Sequence, residues 1–233
     1  MVPAAFCDLG LMVYPAAHAL QVSLAARRRQ GELTYDLFLL VEHPPVYTLG
    51  RHGNRAHLGV DERFLRARDI AVVAVERGGE ITYHGPGQLI IYPILDLRHR
   101  RLAVRDYVHL LEELMLRLAA DCGVIARRDP RNHGIWVGDN KLGSIGIAIR
   151  HGVAFHGLAL NVDPDLEPFS WINPCGLTGI GMTSLARVGG RCAMTHQVKT
   201  RLPRHLAELF GGDPQPFDRA LLFATDPLPS ALP

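Results

Sequence analysis

Two residues stand out by type and setting. Cys175 lies in Pro174-Cys175-Gly176-Leu177-Thr178-Gly179, and Lys141 opens the apolar, glycine-punctuated run Lys141-Leu142-Gly143-Ser144-Ile145-Gly146. Proline before the cysteine and glycine after it hold the thiol on a tight loop. That setting fits either a small packed residue or a nucleophile. Lys141 and Lys199 are the only lysines among 25 cations. A buried lysine amine gives up its proton more readily than one in water, whereas arginine stays protonated, so Lys141 hints at proton chemistry. Lys199, between Val198 and Thr200 on an expected helix, reads as a solvated surface residue. A third segment, RGGEITYHGPGQ from Arg77 to Gln88, carries four glycines between Gly78 and Gly87. It reads as a structural turn or as backbone brought close to a ligand, with arginine, threonine, tyrosine and histidine as donors to a carbonyl or carboxylate. Its spacing is neither a P-loop nor a dinucleotide fingerprint.

His156, on an expected apolar strand, either lines a pocket or is a hydrogen-bonded core residue. The 12 histidines form no HxH or HExxH, and the cysteines no CxxC, so no metal site is expected. Cys7, Cys122, Cys175 and Cys192 read as reduced thiols of a cytosolic protein, not as a disulfide framework. Cys7 and Cys122 fall in apolar elements; Cys192 is open.

The elements that must position these residues follow from periodicity. Tyr14 to Gln30 has helical spacing, and Val104 to Cys122 is the clearest helix, with Tyr107, Val108, Leu111, Leu114, Met115 and Leu118 on one stripe and Gly123 as its stop. Strands are expected at 36–42, 46–49, 71–75 and 88–95, and a hairpin series at 135–137, 142–150 and 153–162. A short helix follows Asp61, and a last helix covers about 195–210 with Pro203 as a kink or boundary. Strands in the middle with helices before and after imply an α+β domain with a mostly antiparallel sheet over residues 1–212. Residues 213–233, with five prolines, read as an irregular strap.

Composition bounds the rest. The chain has 233 residues, 48% of them hydrophobic, and a net charge of +2 from 25 cations and 23 anions. That suits one domain with a sizeable core and carries no nucleic-acid footprint. Leu9 to Ala26 is uncharged but broken by Pro15, His18, Gln21 and Ser23, and Asp8 stands where a positive n-region would be. It fits neither a membrane span nor a secretion signal. The arginine clusters at 27–29 and 98–101 read as solvated faces or as docking points for an acidic carrier.

Taken together, RGGEITYHGPGQLIIYP, NKLGSIG and FHGLALNVDPDLEPFSWINPCG resemble the lipoyl(octanoyl) transferase family of lipoate biosynthesis, in consistent order from about Leu39 to Leu185. The resemblance implies the α+β fold of biotin and lipoate protein ligases, a mostly antiparallel central sheet flanked by helices. It implies a cytoplasmic acyltransferase that needs neither ATP nor a cofactor. The enzyme would move an octanoyl group from octanoyl-acyl carrier protein to a lysine of the lipoyl domains of 2-oxoacid dehydrogenases and the glycine cleavage H protein, the first step of endogenous protein lipoylation. The family's acyl-thioester cysteine falls on Cys175 and its pKa-lowering lysine on Lys141. Its substrate-binding stretches fall on Arg77, Gly78, Gly79, Glu80, Ile81, Thr82, Tyr83 and His84, on Ser144, Ile145 and Gly146, and on Gly157, Leu158 and Ala159. Ile81, Ile145 and Leu158 offer an aliphatic slot for the octanoyl tail, and His84 or Thr82 a donor to a tetrahedral oxyanion.

Overall fold

The computed structural model describes residues 2–173 and 181–223. The apolar runs of the sequence become eleven strands among the described residues: β1 (Ala4–Leu11), β2 (Asp36–Glu42), β3 (Val46–Leu49), β4 (Ala71–Ala74), β5 (Ile81–His84), β6 (Gln88–Asp96), β7 (Gly134–Val137), β8 (Asn140–Arg150), β9 (Val153–Asn161), β10 (Gly181–Met182) and β11 (Gln215–Pro216). The helices are α1 (Tyr14–Gln30), α2 (Glu62–Arg66), α3 (Val104–Asp121), α4 (Thr195–Lys199), α5 (Leu202–Phe210) and α6 (Arg219–Phe223).

The larger sheet runs β10-β8-β9-β6-β2-β1-β11, with β7 also paired to β8. Its middle is antiparallel, from β8 through β9 and β6 to β2, while β10, β1 and β11 join in parallel. A second sheet, β4-β3-β5, was not legible as a separate layer. Its edge strand Ile81–His84 comes out of the glycine-rich segment that reads as a turn.

Strand alternation gives the larger sheet two unlike faces. Leu89, Ile91 and Leu160 turn toward the stripe Tyr107, Leu111, Leu114, Met115 and Leu118 of α3, all of them fully buried. Ile90, Tyr92 and Phe155 turn toward Ala17, Leu20 and Leu24 of α1. α1 starts with Pro15 in its first turn and stops at Gly31, whose φ of 81° closes the helix in the left-handed region.

The uncharged stretch is shared between the end of β1 and α1, and among the described residues no helix is long and apolar enough to cross a membrane. Three expectations need correction. The single helix expected over 195–210 is two, so of kink and boundary Pro203 is the boundary: it sits in the first turn of α5 and cannot supply a mid-helix N–H. The start of the strap is ordered: Gln215 and Pro216 pair with Ala5 and Phe6, α6 follows, and Phe217 and Leu222 are buried in the α1-side core. Finally, Cys122 and Cys192 form a disulfide, with Cα atoms 5.3 Å apart, leaving Cys7 as the one free cysteine among the described residues. The two lie 70 residues apart, so no local spacing could announce them.

The arginine clusters also divide. Arg28 and Arg100 turn inward onto the fully buried Asp36, Arg28 at 3.1 Å, and so tie the end of α1 and the β6–α3 connection to β2. Burial pushes the Asp36 carboxyl up while the two guanidiniums pull it down. A lone charge left at this point would be costly.

Candidate functional site

A cleft of about 440 Å³ opens between the α1-facing side of the larger sheet and the second sheet. Arg77–Glu80, Ile81, Thr82 and His84 form one wall; Ser144, Ile145 and Gly146 of β8 with Gly157, Leu158 and Ala159 of β9 form the floor. Register explains the floor: Ser144 pairs with Ala159, Ile145 with Leu158 and Gly146 with Gly157, so three remote motifs share one patch. The glycine at 146 is required by the wall, since a Cβ there would sit 2.9 Å from the Arg77 Cδ. Lys141 borders the same cleft. Tyr83 does not line it; it packs on Tyr47 and Phe169, each with ring centroids 5.4 Å away. Cys175 lies outside the described residues, as does the rest of 174–180. The flanks of that segment are in place. Asn173 lines the cleft and donates its N–H to the His57 carbonyl (2.9 Å), and Gly181 and Met182 pair with Asn140 and Lys141.

The wall is held by a polar network. Arg77, 8% exposed, donates to the Thr48 carbonyl at 2.6 Å, to the Thr48 hydroxyl at 2.8 Å and to the Gly78 carbonyl at 3.0 Å. The Gln88 amide N–H donates to Asn161 Oδ1 (2.9 Å), and the Gln88 Oε1 accepts from His84 Nδ1 at 2.7 Å. His84 therefore carries its proton on Nδ1 and presents a bare Nε2 toward Thr48. Burial, helped by neighbouring His43, drives the His84 imidazole down to about 3, so it is neutral at physiological pH. Sequence reading missed Tyr14, Tyr92, Asn132 and Asn173 as lining residues. Tyr92 carries a signal after all, being an even-numbered residue of β6 on the face of Ile90.

Lys141 is 8% exposed. Its ammonium donates to Asn132 Oδ1 at 3.1 Å and lies 5.4 Å from the centroid of the fully buried Trp136 ring. Its stem passes Gly134, where a Cβ would stand 2.9 Å from the Lys141 Cε.

At another border of the cleft, His18, Glu76 and His156 converge, with one donor atom of each within 4.8 Å of the others. His18 Nε2 is 2.8 Å and His156 Nε2 3.7 Å from Glu76 Oε2, while Arg150 donates to Glu76 Oε1 at 3.2 Å. Two histidines and a carboxylate are a metal-binding donor set, and no sequence spacing could show it, because the three come from α1, the β4–β5 connection and β9. The arginine on the same carboxylate supplies the positive charge that an ion would otherwise bring. Burial works against the ionised Glu76, yet its own backbone N–H and His18 hold it below the usual carboxylate range. His156 has a φ of 55°, rare for a residue with a Cβ. Its N–H is held by Gln21 Oε1 at 2.9 Å, and burial lowers its ring to about 4.

Residues 14–207 match the family model described as Lipoyl protein ligase A/B catalytic domain. The chain is similar to the octanoyltransferase of Desulfotalea psychrophila, 58% identical over 206 residues that cover 88% of this chain and 92% of that one. It is 45% identical to the octanoyltransferase of Syntrophobacter fumaroxidans over 206 residues, 88% of this chain and 90% of that one. In fold it is similar to a crystal structure of lipoate-protein ligase A bound with ATP (TM-score 0.74, 15% identity, 94% of this chain and 90% of that one). It is also similar to a putative lipoate protein ligase from T. acidophilum with bound lipoic acid (TM-score 0.73, 16% identity, 93% and 89%). At such low identity these two structures speak for the fold alone.

Proposed function

Since the chain belongs to the lipoyl protein ligase A/B catalytic-domain family, among its octanoyltransferases, we propose that it takes an octanoyl group from octanoyl-acyl carrier protein onto Cys175 and passes it to a lysine of a lipoyl domain. The acceptors are the lipoyl domains of 2-oxoacid dehydrogenases and the glycine cleavage H protein, and the reaction belongs to the cytoplasm. The observation that carries this reading is the meeting of three remote motifs in one cleft that Lys141 also lines, together with Asn173 and Met182 from the two flanks of the segment bearing Cys175.

A thioester donor holds its acyl group already activated. Transfer to sulfur is near neutral and transfer to an amine is downhill, so no nucleotide is needed. A thiol of ordinary pKa near 8.5 is only roughly 3% thiolate at pH 7. An ammonium beside it that lowers the value by about two units favours thiolate by roughly 2.7 kcal/mol. Lys141 is the candidate for that ammonium. Thiolate attack on the donor carbonyl forms the new carbon–sulfur bond and expels the carrier's thiolate, which takes up a proton. The second step needs a base, because an acceptor lysine of pKa about 10.4 is almost wholly protonated at pH 7. As acylation removes the thiolate charge, Lys141 gives its proton to the departing carrier thiolate; its neutral amine then takes a proton from the incoming lysine, whose nitrogen attacks the thioester carbonyl and forms the carbon–nitrogen bond. The Cys175 thiolate then leaves.

The tail has room. About six methylenes buried at roughly 0.8 kcal/mol each give up to about 5 kcal/mol, and Ile81, Ile145 and Leu158 supply apolar lining. The test is to mix the purified protein with octanoyl-acyl carrier protein in the absence of nucleotide and read the intact mass. An octanoyl adduct that is labile to hydroxylamine, absent in Cys175→Ser and discharged by a lipoyl domain is expected. No adduct, or one that persists in Cys175→Ser, overturns the mechanism.

A further inference from the structure

Among the described residues, Lys141 has an amide as a hydrogen-bond partner where a carboxylate would be the common choice. We propose that Asn132 is a positioning residue for Lys141, holding the ammonium in place without adding a formal negative charge. The inference rests on the cysteine–lysine reading above and deepens it.

The geometry is unambiguous in its chemistry. An ammonium only donates, so the atom 3.1 Å from Nζ must be the Asn132 oxygen. Asn132 is itself held. Its N–H reaches the Asp129 carbonyl at 3.4 Å, and its carbonyl accepts the Trp136 indole N–H at 3.4 Å. Asp129 is locked by Arg131 (2.8 and 2.9 Å) and Arg127 (2.6 Å). Arg131 lies over the Trp136 ring at 4.9 Å, as Lys141 does at 5.4 Å. Among the described residues, Arg131 thus shares the indole with the lysine, and Asp129 is tied to the backbone of its amide partner. Glu112 bonds the Gly134 N–H at 3.1 Å with Arg128 on its other oxygen, and the exposed His133 sits beside it.

The two-step reaction asks opposite things of this lysine. It must be an ammonium while Cys175 is a thiolate and must release its proton after acylation. A neutral acceptor permits both. A carboxylate at the same place would favour the ammonium throughout, raising the lysine pKa by about one to three units, and the second step would stall.

The experiment separates the half-reactions. Enzyme acylation by octanoyl-acyl carrier protein, and discharge of isolated acyl-enzyme to a lipoyl domain, are each timed from pH 6 to 10 in wild type, Asn132→Asp and Asn132→Ala. Asn132→Asp is expected to slow acylation only a few-fold, since the added carboxylate keeps the ammonium but competes with the Cys175 thiolate for it. Its discharge should fall about tenfold or more at pH 7.5, with the basic limb displaced upward by at least about one pH unit. Asn132→Ala should slow both steps about ten- to a hundredfold, the loss expected for a hydrogen bond to a charged group. Asn132→Ser replaces it if thermal unfolding shows the alanine variant to be unfolded. Wild-type rates and pH limbs in the variants would overturn the role of Asn132 while leaving the thioester reading intact. Failure of wild type to form a thioester would instead overturn that reading.

Discussion

Reduction of the Cys122–Cys192 bond should cost the protein a large part of its thermal margin. The bond closes a loop of 70 residues. In the chain-entropy account such a crosslink stabilises by about 4 kcal/mol, acting through the unfolded ensemble. For a chain of this size 1 kcal/mol corresponds to roughly 2–4 °C in Tm, so reduction should lower Tm by about 8–16 °C. Both cysteines are buried, at 0% and 1% exposure, so a reductant reaches them only through local opening, and the protein must be incubated with it for hours. Differential scanning calorimetry of wild type and a Cys122→Ala/Cys192→Ala variant, each with and without reductant, checks the argument. Wild type should shift, and the variant should start low and not respond. Thiol titration of unfolded, unreduced protein should find two thiols, four cysteines less the bonded pair. Four free thiols, or equal Tm values for wild type and the variant, would refute the reasoning.

Other consequences are open to simpler measurements. Gly146→Val places methyl groups against Arg77 and into the cleft, and should lower octanoyl transfer at least tenfold while shifting Tm by only a few degrees, read by paired activity and melting assays. Ala159→Leu fills part of the floor and should move preference from octanoyl toward shorter chains by about 10–200-fold in kcat/KM, checked with a series of acyl carriers. Burial holds His43, His84 and His156 down at about 4, 3 and 4. Their folded values lie below the unfolded value near 6.5, so their contribution is complete above pH 6.5 and is lost as pH falls toward 4. Between pH 6.5 and 5.5 the three together should withdraw about 3 kcal/mol, measurable by urea unfolding; a flat profile there would contradict it.

Much of the frame was legible because it is local. The α3 stripe has one period and one partner face, and it was read almost to the residue. The motif segments could be placed on strands, and their order along the chain carried the family. What escaped reading depends on distance. Ile81–His84 is a strand because β3 lies beside it, an arrangement that four glycines nearby conceal. The disulfide and the His18–Glu76–His156 cluster join residues tens of positions apart, where spacing is silent. Asn132 holds Lys141 from the α3–β7 connection, whose path is fixed by Asp129 and two arginines. Nothing in the composition of that connection marks the amide.

The unlike faces of the larger sheet have an evolutionary consequence. Leu89, Ile91 and Leu160 answer only to the α3 core, while their immediate neighbours Ile90, Tyr92 and Ala159 border the cleft. Substitutions at neighbouring positions therefore act on different properties of the protein. A lineage can drift in heat tolerance through one set of positions and in substrate range through the other. Such a sheet can be inherited by catalysts of different chemistry without being rebuilt.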